Sequence, residues 1–261
     1  MFTPLALIKI CLIPFLIWLV SQITKRFGAV YGAAFSGLPL ISAPISLYYI
    51  IEQGTQFGLQ AAYGSFLGML ALVVYALSYC YISLKASPWV TLVSTTIIWV
   101  LATAGLNLCA STSPWLVVLT FVGIGLGIVL LPKPQALKQP QQKKKSGTPY
   151  LQMIVGAVMM VCMTALANIL PSNLSGMLLM FPVLAGILPF FALCEQGPGA
   201  VAIFFKGSLT GLLIGAAFFT TVLWLLPTHS TLLTYCAALA VSLSGSLISV
   251  WRIRYRLLHS R

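Results

Sequence analysis

Only two residues of the 261-residue chain are acidic, Glu52 and Glu195, and both lie in the same tripeptide, Glu-Gln-Gly. Each acid is followed by a Gly-Ser-x-x-Gly motif, which begins at Gly64 after the first acid and at Gly207 after the second. A shift of 143 positions (195 − 52) aligns the two tripeptides and the two motifs without a gap. Because charged and glycine positions persist while apolar positions drift, this pattern predicts an internal duplication of the kind found in membrane transporters.

Composition restricts the fold class. Apolar residues make up 60% of the chain and charged residues 6%, with a mean hydropathy of +1.03, so polar side chains are too few to cover a globular surface. Apolar runs of about twenty residues, the length that crosses a bilayer as a helix, recur along the chain. These runs do not alternate with a period of two, as the strands of a closed barrel would. The sequence therefore predicts an all-α, polytopic membrane protein.

Nine transmembrane helices fit the apolar runs. We place them at 4–24, 29–51, 57–82, 89–109, 114–131, 150–170, 172–194, 199–226 and 230–250. With this count, the loop and tail lysines and arginines all fall on one side of the membrane. The positive-inside rule makes that side cytoplasmic and predicts an N-terminus outside and a C-terminus inside.

The 143-residue shift pairs the first four spans with the last four and leaves the fifth unpaired. Because five spans separate each element from its copy, the copies cross the membrane in opposite senses, as a four-plus-one-plus-four inverted repeat. The predicted segments are a first repeat (1–113), a linking helix (114–131), a basic cytoplasmic linker (132–149), a second repeat (150–250) and a basic cytoplasmic tail (251–261). Gly123, Gly125 and Gly127 make the linking helix a candidate contact within the bundle or in a homodimer.

Prolines recur near the middle of two predicted spans. Pro39 aligns with Pro182, and each is followed by a second proline, Pro44 or Pro189. Proline removes a backbone donor and clashes with the preceding turn, so both spans should kink or break near the membrane midplane. Such kinks can serve helix packing alone, but paired discontinuous helices also mark transport sites. We therefore predict these four prolines as substrate-binding positions.

The Gly-Ser-x-x-Gly motifs also have two interpretations. Their glycine spacing is that of the Gly-x-x-x-Gly motif, which allows close contact between helices. The serines in the motifs, Ser65 and Ser208, are predicted as hydrogen-bond donors into a central substrate cavity.

Four charged residues are candidates for gating or proton binding. Glu52 and Glu195 end predicted helices, where the helix dipole disfavours a carboxylate. Lys9 and Lys206 lie within apolar runs, so we predict Glu52–Lys9 and Glu195–Lys206 as outer and inner pairs that open alternately. The alternative is interfacial: each Glu-Gln-Gly caps a helix and each lysine extends to the headgroups.

Several function classes lack the residues they need. The net charge of +12 belongs to loops and the tail, so we predict contacts with the bilayer and its anionic headgroups and none with nucleic acid. The six cysteines have no Cys-x-x-Cys spacing, and the two histidines have no acidic or cysteine neighbours at ligand spacing. Two glutamates and no aspartate leave little material for hydrolytic chemistry. We predict no catalytic site, metal or cofactor.

The stretch Gly37-Leu38-Pro39-Leu40, with Pro44 and then Glu52-x-Gly54, resembles the small four-span GlpM-like family of bacterial inner-membrane proteins. That family has a Gly-Leu-x-Pro-Leu-x-Pro stretch followed by an acid and a glycine. The resemblance covers residues 31–75, with a weaker echo at 174–218 in which Met180-Phe181 replaces Gly37-Leu38. It implies two such units fused through an inverting helix in a bacterial inner membrane.

Together these features predict a secondary carrier for an unidentified small solute, coupled to protons through Glu52 or Glu195. A lipid or polyprenyl-phosphate flippase is the alternative within transport, and a scaffold subunit of an envelope biosynthesis complex is the alternative outside it. A water-accessible cavity at Pro39 and Pro182 would favour transport, whereas a dry interior would favour the scaffold.

Overall fold

The computed structural model describes residues 41–108, 113–132 and 168–259, with the isolated positions 15, 39, 154, 158, 161, 162, 165 and 166. Several predicted segments lie mainly outside the described residues. They are the first span with Lys9, residues 29–40 of the second span, the linker 133–149 and most of the sixth span. Within the described part, every regular element is a helix. The predicted all-α class is therefore confirmed.

Eight helices cover these ranges. They are α1 (Ser42–Gln53), α2 (Thr55–Ile82), α3 (Pro88–Leu108), α4 (Trp115–Leu130), α5 (Ser172–Leu178), α6 (Val183–Gln196), α7 (Pro198–Leu225) and α8 (Thr231–His259). In the described part, α2, α3, α7 and the Thr231–Ser249 portion of α8 are long and apolar enough to cross a membrane, and α4 is a shorter apolar helix. The fold is compatible with a membrane protein.

The helix ends agree with the predicted spans in most places. The bounds of α2, α3, α4 and α7 lie within two residues of those predicted for the third, fourth, fifth and eighth spans. In contrast, α8 continues to His259, whereas the ninth span was predicted to end at residue 250. No glycine or proline occurs between 251 and 259 to stop the helix, and the rings of Trp251 and Tyr255, one turn apart, lie 5.7 Å from each other. The predicted tail is thus largely a helical extension.

The seventh predicted span is broken at its proline, as expected. It consists of α5 and α6, separated by residues 179–182, and we call residues 172–196 the broken span. Pro182 precedes α6, and its carbonyl accepts a hydrogen bond from the Gly186 N–H at 2.8 Å. The carbonyl of Pro39, which lies just before α1, accepts a hydrogen bond in the same way from the N–H of Ala43, within α1, at 2.8 Å. The two prolines therefore accept equivalent hydrogen bonds from the residue four positions later, although α6 begins directly after Pro182 and α1 begins three residues after Pro39.

Two glycines form matching corners between consecutive helices. Gly54 joins α1 to α2 with φ 87° and ψ 168°, and Gly197 joins α6 to α7 with φ 84° and ψ −175°. This region of backbone space is open essentially to glycine alone. The bounds of α2 shifted by 143 positions are those of α7, so the shift found in the sequence also relates these structural elements.

The equivalent helices α2 and α7 run in opposite directions. Tyr79, near the end of α2, lies 5.4 Å between ring centroids from Phe205, near the start of α7. Met69, near the middle of α2, lies beside Gly215, further along α7. Contacts in this order are those of an antiparallel pair, as two inverted copies require.

Helix α4, the predicted linking helix, packs against both members of that pair. A Cβ on Gly127 would lie 2.6 Å from Val73 of α2 and 3.4 Å from Leu209 of α7, and one on Gly123 would lie 2.6 Å from Leu70. Gly125 has no such neighbour within 4 Å. Two of the three glycines therefore serve contacts inside the bundle.

Close backbone contact joins α2 to α5. A Cβ on Gly64 would overlap the Asn173 carbonyl, one on Gly68 would lie 2.7 Å from the Met177 carbonyl oxygen, and one on Gly176 would overlap the Ala61 carbonyl. The first Gly-x-x-x-Gly motif thus acts as a packing motif, which is its structural interpretation.

We expect Gly64→Ala to lower the free energy of unfolding by about 1–3 kcal/mol, because the added methyl displaces the α5 backbone. Gly105→Ala is the matched control, since nothing in α3 or its neighbours lies within 4 Å of the point that its Cβ would occupy. It should leave stability unchanged or higher. Thermal unfolding of both variants in detergent tests this, and equal stabilities would contradict the close contact.

Candidate functional site

Helix α3 lies along the whole broken span. Four contacts follow one another in opposite chain directions: Asn173 Nδ2 donates to Asn107 Oδ1 at 2.7 Å, the rings of Trp99 and Phe181 lie 5.0 Å apart, Leu92 approaches Gly186, and the rings of Trp89 and Phe190 lie 4.8 Å apart. The two elements are therefore antiparallel, and the break at 179–182 lies opposite Trp99. This position is near the middle of α3.

The side of α3 that faces inward carries a polar stripe. Its buried residues are Thr91, Thr95, Trp99 and Thr103, which recur at every fourth position, and we call them the α3 stripe. Apolar side chains such as Val93 and Ile97 are exposed on other sides of the helix. A helix with polar groups inside and apolar groups outside suits a lipid environment and places its chemistry at the broken span.

The hydroxyls of the α3 stripe differ in how they are satisfied. Thr91 donates to the Ser87 carbonyl at 3.0 Å, and Thr95 donates to the Thr91 carbonyl at 2.8 Å. Such bonds to the preceding turn are usual for threonine in membrane helices. The Trp99 indole Nε1 and the Thr103 hydroxyl, both buried, have no hydrogen-bond partner. The unsatisfied half of the stripe thus begins at the break.

Further unsatisfied groups come from neighbouring elements. The Ser175 hydroxyl of α5 and the Tyr79 hydroxyl of α2 are buried without a partner. The Tyr75 hydroxyl of α2 is in hydrogen-bonding contact with the Thr95 side chain of the α3 stripe. The Tyr75 hydroxyl lies 3.1 Å from the position of a Cβ on Gly186, so it faces α6. A buried polar group without a partner costs about 1–3 kcal/mol. Four such groups, those of Trp99, Thr103, Ser175 and Tyr79, therefore lie on the broken span and the helices beside it, and each calls for an explanation.

Two side chains satisfy backbone carbonyls of the broken span. The Ser65 hydroxyl lies 3.0 Å from the Ala61 carbonyl oxygen and 3.2 Å from that of Gly176, and Tyr49 donates to the Ser175 carbonyl at 3.4 Å. Ser65 is fully buried and holds the broken span to α2. Its predicted contact with substrate stays a prediction, since its single proton already has two acceptors.

The structure separates the predicted prolines into two groups. Pro182 and Pro189 are buried in the broken span, beside α3. Pro39 is half-buried before α1, and Pro44 is buried in the first turn of α1, where a missing N–H costs little. Ser208 is half-buried in α7. The four prolines are therefore not one cluster around a single helix.

The charged candidates lie away from the α3 stripe or outside the described part. Glu52 is exposed in the last turn of α1, and Lys206 is exposed on α7. Glu195 belongs to α6, but its side chain falls outside the described residues, as does all of Lys9. Both predicted charge pairs consequently remain predictions.

The two crevices described are apolar and lie elsewhere. The larger, of about 510 Å³, lies between α2, α3 and α4 and is lined by side chains such as Leu70, Leu106 and Leu126. The smaller, of about 360 Å³, lies on α3 around Trp89. Neither is lined by Pro39 or Pro182, so the water-accessible cavity that would favour transport is not among them.

A second polar stripe lies on α8. Its polar members, all buried, are Thr234, Ser242 and Ser246, which the 143-residue shift pairs with Thr91, Trp99 and Thr103. Two of the three, Thr234 and Ser246, have no partner. Next to this stripe, Ser46 of α1 donates to the Ala43 carbonyl at 2.9 Å, so Tyr235 donates to Ser46 Oγ at 2.9 Å.

Both stripes were missed by the sequence interpretation. Each span contains several hydroxyl side chains, and most serine and threonine residues in apolar helices bond to their own backbone. The stripes could have been found from two features together: polar residues at every fourth position, and the recurrence of this spacing after the 143-residue shift. A threonine considered alone shows neither feature.

Comparisons of the chain with protein-family models, with curated proteins and with solved structures found no match. The resemblance of residues 31–75 to the GlpM-like family accordingly rests on those residues alone.

A double-mutant cycle measures the contact between α1 and α8. We expect Ser46→Ala and Tyr235→Phe to show a coupling of about 0.6 kcal/mol, and up to about 1.7 kcal/mol, in the free energy of unfolding, because each removes one half of a buried hydrogen bond. Tyr79→Phe is the control, since its hydroxyl has no partner to lose. Strictly additive effects of the two changes would contradict a stabilising hydrogen bond between Ser46 and Tyr235.

Proposed function

We propose that the protein is a secondary carrier of a small solute in a bacterial inner membrane, with nine spans in a four-plus-one-plus-four inverted repeat. The N-terminus lies outside and the C-terminus inside. The solute site is at the membrane midplane, between α3 and the broken span. The antiparallel course of the equivalent helices α2 and α7 supports the inverted arrangement.

One observation carries the proposal: the break of the broken span meets Trp99, whose indole N–H is buried without a partner, as is the hydroxyl of Thr103 one turn further along α3. A span that needed only to cross the membrane would gain stability from a continuous helix and apolar neighbours. Groups held at a cost in stability near a helix break are typical of sites that bind a ligand or change conformation.

The interior described here corresponds to a closed state of such a carrier. Pro182 and Pro189 are buried, and the ring of Phe181 contacts Trp99 edge-on. Residues 179–182, which are not helical, supply the hinge at which α6 moves relative to α5. Opening at this hinge would separate Phe181 from Trp99 and expose the α3 stripe.

A lipid flippase is the second candidate, and the apolar crevice between α2, α3 and α4 favours it. Its volume of about 510 Å³ and its leucine-rich lining suit a hydrocarbon chain. A scaffold subunit is favoured by the buried Pro182 and by the lack of a described crevice at Pro39 or Pro182. Flux measurements separate these candidates from the carrier.

The carrier proposal is tested by uptake of an unselected mixture of labelled metabolites and lipids into proteoliposomes. We expect uptake of a polar solute, and we expect Pro182→Ala to reduce it at least about tenfold, because an N–H at position 182 favours a continuous helix across the hinge. Pro227→Ala, at an exposed position in the turn after α7, is the control. Uptake no greater than in empty liposomes would exclude a carrier, and uptake of lipids alone would favour the flippase.

Proton coupling through the two acids is tested separately. An imposed pH gradient should drive solute uptake by the wild type. Glu52→Gln and Glu195→Gln should reduce this gradient-driven uptake, because a side-chain amide, unlike a carboxyl group, does not titrate. Addition of a protonophore is the control that must abolish the effect. Flux that ignores the gradient and survives both substitutions would leave a carrier without proton coupling.

A further inference from the structure

Two unpartnered groups, those of Thr103 and Ser175, lie along the chain between two contacts of the α3 interface, and a third, that of Trp99, belongs to one of these contacts. Trp99 and Phe181 define one contact, and Asn107 and Asn173 define the other. Thr103 lies between Trp99 and Asn107 on α3, as Ser175 lies between Asn173 and Phe181 on the broken span. The exposed fractions of Trp99, Thr103 and Ser175 are 2%, 7% and 1%, and none of their polar atoms has a partner.

The chemistry of these three groups defines what they can bind. An indole N–H only donates, whereas the two hydroxyls both donate and accept. All three are uncharged, and an ion placed among neutral groups in a dry interior would lose its hydration without a counter-charge. The groups therefore suit an uncharged molecule that carries hydrogen-bond acceptors.

Residues Trp99 and Thr103 are one turn apart, so their side chains are separated by about 5–6 Å at the Cβ atoms. One small solute with two acceptor oxygens reaches both. The indole ring also offers an apolar surface, which suits a solute whose polar oxygens are carried on a carbon skeleton.

We propose that Trp99, Thr103 and Ser175 form a recognition site for an uncharged polar solute, such as a polyol, sugar or amide, whose oxygens accept from the indole and hydroxyl groups. This inference rests on the proposed carrier function and names the class of its substrate. Phe181 closes the site against Trp99, so solute binds when the broken span moves at its hinge.

The site has a consequence for stability that a structural role would not have. Trp99→Phe, Thr103→Val and Ser175→Ala each remove a polar atom that has no partner while keeping much of the side-chain volume. Without solute, Thr103→Val and Ser175→Ala should unfold at the wild-type temperature or above it, because an unsatisfied group is lost, whereas Trp99→Phe also loses buried ring volume. With solute, all three variants should lose the stabilisation that binding supplies.

The experiment measures thermal unfolding of the full-length protein in lipid nanodiscs by near-ultraviolet circular dichroism. The probes are a panel of uncharged polyols, sugars and amides, and a matched panel of carboxylates, amines and phosphate monoesters. Thr96→Val is the control variant, because Thr96 lies off the α3 stripe and donates to the Leu92 carbonyl at 2.8 Å.

We expect at least one uncharged probe to raise the unfolding temperature of the wild type and of Thr96→Val, and to raise that of Trp99→Phe and Thr103→Val by less than half as much. Stabilisation by charged probes only, by no probe, or equally in all variants would overturn the proposal. A sharp loss of stability of Thr103→Val without solute would also overturn it, since the Thr103 hydroxyl would then have a structural partner.

Failure of the proposed recognition site and failure of the carrier proposal give different results. Solute-dependent stabilisation that requires Trp99, without any flux in proteoliposomes, would leave a binding site and exclude a carrier. Flux of an uncharged solute that Trp99→Phe and Thr103→Val do not affect would leave the carrier and exclude this site.

Discussion

A helix that stops partway across a membrane leaves backbone carbonyls and amides that no water satisfies, and the rest of this structure depends on how that constraint is met. The broken span meets it by direct contact with α2 and α1. Ser65 of α2 reaches the Gly176 carbonyl and Tyr49 of α1 reaches the Ser175 carbonyl. The short Ser65 side chain reaches its carbonyl because Gly64 and Gly176 let the backbones of α2 and α5 approach closely. The glycines and the serine of one motif therefore serve a single purpose.

The same constraint explains why the unsatisfied groups of α3 are informative. The backbone of the broken span has side-chain partners in α2 and α1, so such partners are available within this fold. Trp99 and Thr103 nonetheless stay without one in the described structure, at the level of the break. Selection for stability alone would favour apolar side chains at positions 99 and 103, like those at the exposed positions of the same helix. This cost is what the proposed solute site would account for.

Much of the fold could be predicted from the sequence, because its signals are local. The broken span follows from Pro182, the corners follow from Gly54 and Gly197, and the contact of α2 with α5 follows from the glycine spacing. The end of α8 was predicted too early, since a run of arginines signals the end of an apolar stretch without ending a helix. The site itself was less predictable, because prolines and lone charges are unusual in an apolar span, whereas a threonine is ordinary there. Thr103 differs from other threonines in this helix because its hydroxyl makes no hydrogen bond. Its position beside the broken span follows from the antiparallel course of α3, which only the structure reveals.

The two copies, although related by one shift, are not chemically equivalent. Tyr235 joins α8 to α1 through a hydrogen bond to Ser46, whereas the shift pairs these two residues with Leu92 and Pro189, which cannot form such a bond. The contacts between α3 and α6 are aromatic and apolar instead, as between Trp89 and Phe190. Separating α1 from α8 thus requires breaking a buried hydrogen bond, worth about 0.6 kcal/mol on average in a membrane interior, in addition to losing contact area. Separation of α3 from α6 breaks no such bond among the described contacts, so the two equivalent interfaces differ in the free energy that their separation requires.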